Sequence, residues 1–211
     1  TDLKLLRELR FPHSLGLLYS AFTAYLGFEV NEGEYKVMGM APYGKPSYMD
    51  KIWKLLELHD DASFSLNMDY FTFHYSRDRM FNSKFEELFG GPARPSPERG
   101  VPDPRSADIA ASIQRVTEEV MLALAKEAHR LTGQRRLCLA GGVALNSVAN
   151  ARILRETPFE ELYIQPSAGD GGGALGAALY GYHGLLGNPR SFVMGHAGWG
   201  QAHDDAEIET F

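Results

Sequence analysis

One cysteine, Cys138, stands alone among 211 residues, so no disulfide framework can form within the chain and a reducing compartment is the easier reading. Set in the apolar run "LCLAGG", it reads as a buried small hydrophobe rather than a reactive thiol. Runs of Lys or Arg are missing too, and a formal charge of −6 has the wrong sign for a nucleic-acid surface. Long apolar runs are also lacking. The longest uncharged stretch, 14–28, is too short and too polar to cross a bilayer, and "TDLKLLRELR" carries charges through its apolar positions, unlike a signal peptide. The expectation is a soluble, cytoplasmic chain with neither nucleic acid nor membrane as partner.

What is present is ordinary globular material: 44% hydrophobic and 23% charged, enough for one substantial domain or two small ones. "HSLGLLYSAFTAYLGF" spaces Leu15, Leu18, Phe22 and Tyr25/Leu26 as a helix, with Ser14 as its N-cap and Gly27 as its stop. The glycines and prolines of "NEGEYKVMGMAPYGKP" predict a break in regular structure, while "SYMDKIWKLLELHD" predicts an amphipathic helix opened by Ser47 and Asp50. From Phe64 the period becomes two, through Leu66, Met68 and Tyr70 and again through Phe71, Phe73 and Tyr75, which predicts a hairpin or bulged strand pair. "SKFEELFG" gives a weak helix signal, and five prolines between Gly90 and Ser106 predict a long loop. A long helix follows over about 107–131, with Ile109, Ile113, Val116, Val120 and Leu124 on one stripe and Gly133 as its stop. Then one pattern occurs twice: strand "RRLCLAGG" with helix "VALNSVANARILRE", and strand "ELYIQPSAGD" with helix "GGGALGAALYGYH". That alternation is the mark of an α/β layer with parallel strands, whose two turns share the carboxyl edge.

Both turns are glycine-rich. Gly141-Gly142 lets the backbone turn tightly and approach a ligand, and the free N–H groups of the next helix favour an anion or nucleotide. Asn146, one turn in, could read a ribose or base; equally, the glycines could serve only close packing, with Asn146 in solvent. Asp170 precedes Gly171 and by residue type alone is a helix N-cap. Four glycines in eight residues exceed what a cap needs, however, and a carboxylate beside phosphates most often serves a cation. "GGGALG" spells G-x-G-x-x-G, yet the dinucleotide reading fails on context. Only 35 residues follow Gly176, without a second strand–helix–strand unit or an acid at the required distance.

Two segments together are more specific. "FPHSLGLLYSAFTAYLGFEVNEGEYKVMGMAPYGKP" and "LAGGVALNSVANARIL…LYIQPSAGDGGGALGAAL" resemble the NodU/CmcH family of O-carbamoyltransferases, with "GEYKVMGMAPYG" the most distinctive string. "ADIAASIQRVTEEV" and "GHAGWGQAHDDAEIETF" fall in matching order, so the resemblance runs along nearly the whole chain. It implies an α/β, actin/Hsp70-like (ribonuclease H-like) ATPase half-domain with an incomplete sheet. The half-domain would cover 1–190 with an insertion at about 62–105, and 191–211 would lead toward a further domain. The implied chemistry uses ATP and carbamoyl phosphate to make carbamoyl-adenylate, then passes the carbamoyl group to a hydroxyl of a sugar, antibiotic or similar metabolite. By position, Asn146 then contacts the adenosine beside Gly141 and Gly142, Gly169 and Gly171 face the phosphates, Gly44 lines the nucleoside, and Glu32 or Glu34 reaches its ribose. Asp170 becomes a ligand of a divalent metal, iron by the resemblance. The partner ligands of that metal come in the family from an upstream H-x-x-x-H, and no two of the seven histidines here are four apart. The resemblance therefore presents the chain as the later half of the ATPase-like domain, inactive alone, with an open apolar sheet edge that another copy would cover. Two other readings remain: a tRNA threonylcarbamoyl transferase, and a nucleotide-regulated module of the actin/Hsp70 type without group transfer. Without the resemblance, Glu34 and Lys36 read as a solvated ion pair.

Overall fold

In the computed structural model, which describes residues 3–95 and 102–210, the chain is a mixed α/β protein of packed helices and two small sheets. Helix α1 (Leu15–Tyr25) begins where expected, the Ser14 side chain accepting a hydrogen bond from the Leu17 N–H. Helix α5 (Pro104–Thr132) is the beam of the molecule. It starts earlier than the apolar stripe suggests because Asp103 caps it by accepting from the Ser106 N–H, and Pro104 sits at the first position, where no N–H is needed. Ile109, Ile113, Val116 and Val120 are all at most 1% exposed, which makes this stripe the centre of the core. Helix α4 (Ser83–Phe89) closes the core from the other side. Phe22 meets Phe85 and Phe89 edge-on at 5.2 and 5.1 Å, and Tyr25 meets Phe85 at 5.4 Å. Such pairs add about 0.5–1.5 kcal/mol each beyond their burial. Arg105 fastens the cluster, donating to the Tyr25 hydroxyl and to the Phe89 carbonyl.

Three expectations for the first half give way. The glycine-broken segment contains helix α2 (Glu34–Met40), because Val37 and Met40 bury against α1 and α5. That burial outweighs the cost of a solvent-facing Gly39. The amphipathic helix shrinks to one turn, α3 (Met49–Ile52), and Ser47 donates to the Asp108 carboxylate instead of capping it. Leu56 then enters a strand, β1 (Leu56–Leu58), paired antiparallel with β2 (Phe64–Leu66). The hairpin thus lies one strand earlier than the alternation implied. Its Leu56–Leu66 and Leu58–Phe64 pairs win over a helical 52/55/56 spacing, an ambiguity inherent in short apolar runs. Beyond β2, Met68–Tyr70 is a 3-10 turn, and Phe71 makes only an isolated bridge to Phe81. Of the proline-rich loop, residues 96–101 lie outside the described residues.

The second half follows the repeated pattern. Strand β3 (Arg136–Leu139) pairs in parallel with β4 (Glu161–Ile164), in the register Arg136–Glu161 to Leu139–Ile164. Helix α6 (Ser147–Glu156) packs on α5, and α7 (Asp170–Leu179) runs into a π turn at Tyr180–Leu185. A short helix, α8 (Asp205–Glu209), ends the described chain. Leu137 and Leu139 pack toward the core, while Arg136 and Cys138 face outward. Cys138 is therefore exposed, not buried as its apolar neighbours suggested, because strand alternation assigns it to the uncovered face. A maleimide should modify it fully in the folded chain without denaturant; protection until unfolding would show that this face is covered in solution. Both strands of this sheet keep an unpaired edge among the described residues. No described helix is long and apolar enough to cross a membrane.

Candidate functional site

The carboxyl ends of β3 and β4 deliver the two glycine turns side by side. Gly141 has φ +96°, a conformation that side-chain-bearing residues rarely adopt, and its N–H donates to the Ala168 carbonyl at 2.8 Å. The first turn is thus tied directly to the second. Helix α7 starts with Gly169 as its cap residue and Asp170 as its first helical residue, and no side chain caps this terminus. The ordinary explanation of Asp170, an N-cap, does not hold here. Gly172 presses on the loop before it, where an added Cβ would lie 2.1 Å from the Ser167 carbonyl oxygen. One of the four glycines thus serves a close helix–loop contact.

Between the turns lies a cavity of about 820 Å³, lined by Ala140, Gly141, Gly169, Asp170, Gly172 and Gly173. Tyr163, Gln165 and Ser167 extend the wall from β4, and the Gln165 side chain accepts from the Ser167 N–H. Arg190, Phe192, Val193 and Met194 complete it at the junction of 1–190 and 191–211, where the resemblance implied a lead toward a further domain. The signals for this return were slight: alternation along β4 for Tyr163 and Gln165, and a Gly187-Asn188-Pro189 turn for the rest. The cavity is concave, mostly apolar, and carries a few polar groups, as small-molecule sites do. Asp170 is the carboxylate on its wall, but the described residues contain no group of three His, Cys, Asp or Glu side chains able to hold a metal. One carboxylate does not make a metal centre, so the residues present do not fit the expected iron by themselves.

The other predicted residues sit elsewhere. Gly142 and Gly171 adjoin the cavity without lining it. Asn146 lies behind the first turn, 9% exposed, and caps α6 by accepting from the Ala149 N–H. Its amide pairs reciprocally with that of Gln114 on α5: Asn146 Nδ2 donates at 2.9 Å, and Oδ1 accepts at 3.0 Å. Gln114 also accepts from the Tyr19 hydroxyl and donates to Glu118, which in turn receives Arg152 at 2.8 Å. Burial, with the charges of Glu34 and Glu118 adding to it, pushes the Tyr19 hydroxyl well above its usual range, so it stays a neutral donor. Asn146 is thus neither solvated nor on the cavity wall. Glu34 accepts from the Ser20 hydroxyl and the Asn31 N–H, and Lys36 lies over the Phe28 and Tyr35 rings rather than pairing with it. Glu32 is exposed beside it. Gly44 abuts the backbone of α5 at Ala107.

Comparison with known proteins adds the following. The family model described as carbamoyltransferase N-terminus matches residues 2–179. An uncharacterised protein of Synechocystis is 53% identical over 209 residues, covering 97% of this chain and 34% of that protein. Nodulation protein NolNO of Sinorhizobium fredii is 35% identical over 181 residues, 85% of this chain and 24% of its own length. A tRNA N6-adenosine threonylcarbamoyltransferase of Listeria innocua is 32% identical over 120 residues, 51% of this chain and 35% of that protein. The chain spans about a quarter to a third of the length of the relatives it matches.

Proposed function

The chain belongs to the carbamoyltransferase N-terminal family, and from that premise we propose that it forms the nucleotide-holding wall of an ATP-dependent O-carbamoyltransferase built on an actin/Hsp70-like ATPase fold. The observation that carries this is the convergence of two glycine turns on one cavity at the carboxyl ends of two parallel strands, the edge where open α/β sheets take their ligands. The adenylate phosphates lie against Gly141, Gly169 and the first turn of α7, whose backbone N–H groups are fixed before the ligand arrives.

Water first cleaves carbamoyl phosphate to carbamate and inorganic phosphate; a carbamate oxygen then bonds the α-phosphorus of ATP, and pyrophosphate leaves with the bonding electrons, giving carbamoyl-adenylate. In the transfer step the acceptor hydroxyl oxygen bonds the carbamoyl carbon, its proton is lost, and AMP departs. Negative charge moves between phosphate and carbamoyl oxygens in both steps, so positioning and fixed donors contribute more than a nucleophilic side chain would. Asp170 would supply only one carboxylate to a divalent metal here.

The full-length protein, given ATP, carbamoyl phosphate and a hydroxylated acceptor, is expected to release pyrophosphate only when carbamoyl phosphate is present. ATP hydrolysis indifferent to carbamoyl phosphate would replace this reading with a nucleotide-regulated module. Transfer to tRNA adenosine in place of a small hydroxylated acceptor would make it a threonylcarbamoyl-type enzyme.

A further inference from the structure

The segment after α7 is placed by a defined turn. Past the π turn the chain reverses at Gly187 (φ +69°), and the reversal is fastened twice: Asn188 N–H donates to the Tyr182 carbonyl at 3.2 Å, and its carbonyl lies 2.9 Å from the His183 ring Nδ1. The returning strap then runs back over α7 to β4, where the Tyr163 hydroxyl meets the Met194 sulfur at 3.4 Å. This path brings Arg190 onto the wall of the glycine-lined cavity, beyond the residues that the family model matches. Among the described residues no carboxylate lies within 4.0 Å of its guanidinium. Asp170 shares that wall and is equally unpaired. One cation and one anion thus face a single cavity without neutralising each other.

Resting on the reading of this cavity as a nucleotide site, we propose that Arg190 is the anion-binding residue of the cavity and that the strap 188–194 exists to present it to the ligand's phosphates. The complementary ligand carries phosphate toward Arg190 and a donor group or cation toward Asp170. Guanidinium suits the first task because it is always charged and its planar fork matches two phosphate oxygens.

The test titrates the full-length protein and its Arg190→Ala and Arg190→Lys variants with ATP, adenosine and pyrophosphate, followed by calorimetry. A charged hydrogen-bonded contact is worth about 1.5–3 kcal/mol, so Arg190→Ala should weaken ATP and pyrophosphate roughly ten- to a hundredfold and leave adenosine unchanged. Arg190→Lys should recover part of the loss, since it restores the charge without the fork. Equal anion affinity in the Arg190→Ala variant overturns the assignment, and so does an equal loss for adenosine, which would make the strap a shape element. If the unsubstituted protein binds pyrophosphate through Arg190 but not adenosine, the anion assignment stands and the adenylate reading falls. If it binds neither anion, the assignment falls as well.

Discussion

Replacing Gln114 by leucine should destabilise the chain by about 3 kcal/mol, although no predicted ligand contact is touched. The side chain is 4% exposed and uses its full polar capacity: its oxygen accepts from Tyr19 and Asn146, and its nitrogen donates to Asn146 and Glu118. Leucine keeps roughly the volume and leaves the Tyr19 hydroxyl and the Asn146 amine buried without partners. Each such orphan costs ~1–3 kcal/mol. The Glu118–Arg152 pair loses its neighbour without losing its own contact, so it should survive. Urea unfolding measures the loss, and a double-mutant cycle with Asn146→Ala should return a coupling of about 0.5–3 kcal/mol, since the two amides act as one unit. An unchanged unfolding midpoint for Gln114→Leu would mean that the reciprocal pair is not formed in solution. The functional consequence is sharper. Asn146 ends the 3-10 turn Gly142–Leu145 that follows Gly141, so the same variant loosens the first wall of the cavity from behind.

Much of this arrangement was readable from the residues alone, and the reason lies in periodicity. The stripe of α5 repeats over about four turns, from Ile109 to Leu124, and "RRLCLAGG" and "ELYIQPSAGD" are bounded by glycine on a repeating plan, so their elements and parallel pairing were legible. Short segments were not. At 52, 55 and 56 the same three apolar residues satisfy a helical spacing, and only the cross-strand partners Leu66 and Phe64 decide for a strand. Gly141, Gly169 and Asp170 could be placed at the turns lining the cavity because glycine-rich turns advertise themselves in composition. Asn146 was noticed for its type, but its buried pairing was not legible, because its partner Gln114 lies 32 residues away on another helix. For Arg190 the local signal was only the Gly187-Asn188-Pro189 turn before it, and its place on the cavity wall comes from the chain reversing at Gly187 and laying it over α7.

Gly44→Ala is expected to cost about 3–4 kcal/mol. Resemblance puts Gly44 against a nucleoside, whereas the fold puts it against α5. A Cβ there would lie 2.1 Å from both the carbonyl carbon and the oxygen of Ala107 and 2.5 Å from the Asp108 nitrogen. These are backbone atoms in the opening turns of α5 and cannot swing aside, so the 3-10 turn Ala41–Tyr43 must retreat. Retreat strains three contacts just downstream: Lys45 N–H and Ser47 hydroxyl to the Asp108 carboxylate at 2.8 and 2.9 Å, and Tyr48 N–H to the Ser112 hydroxyl at 2.9 Å. Overpacking alone costs ~1–3 kcal/mol, and each weakened hydrogen bond adds up to ~1 kcal/mol. Against a typical domain stability of about 5–15 kcal/mol that is a large share. Gly39→Ala is the control: its Cβ meets open space on α2, so helix propensity should make it stabilising by up to ~1 kcal/mol. Urea midpoints of the two variants should therefore move in opposite directions. If Gly44→Ala instead keeps its midpoint and loses nucleotide affinity, the glycine is there for the ligand, and the turn has room that its contact with α5 denies.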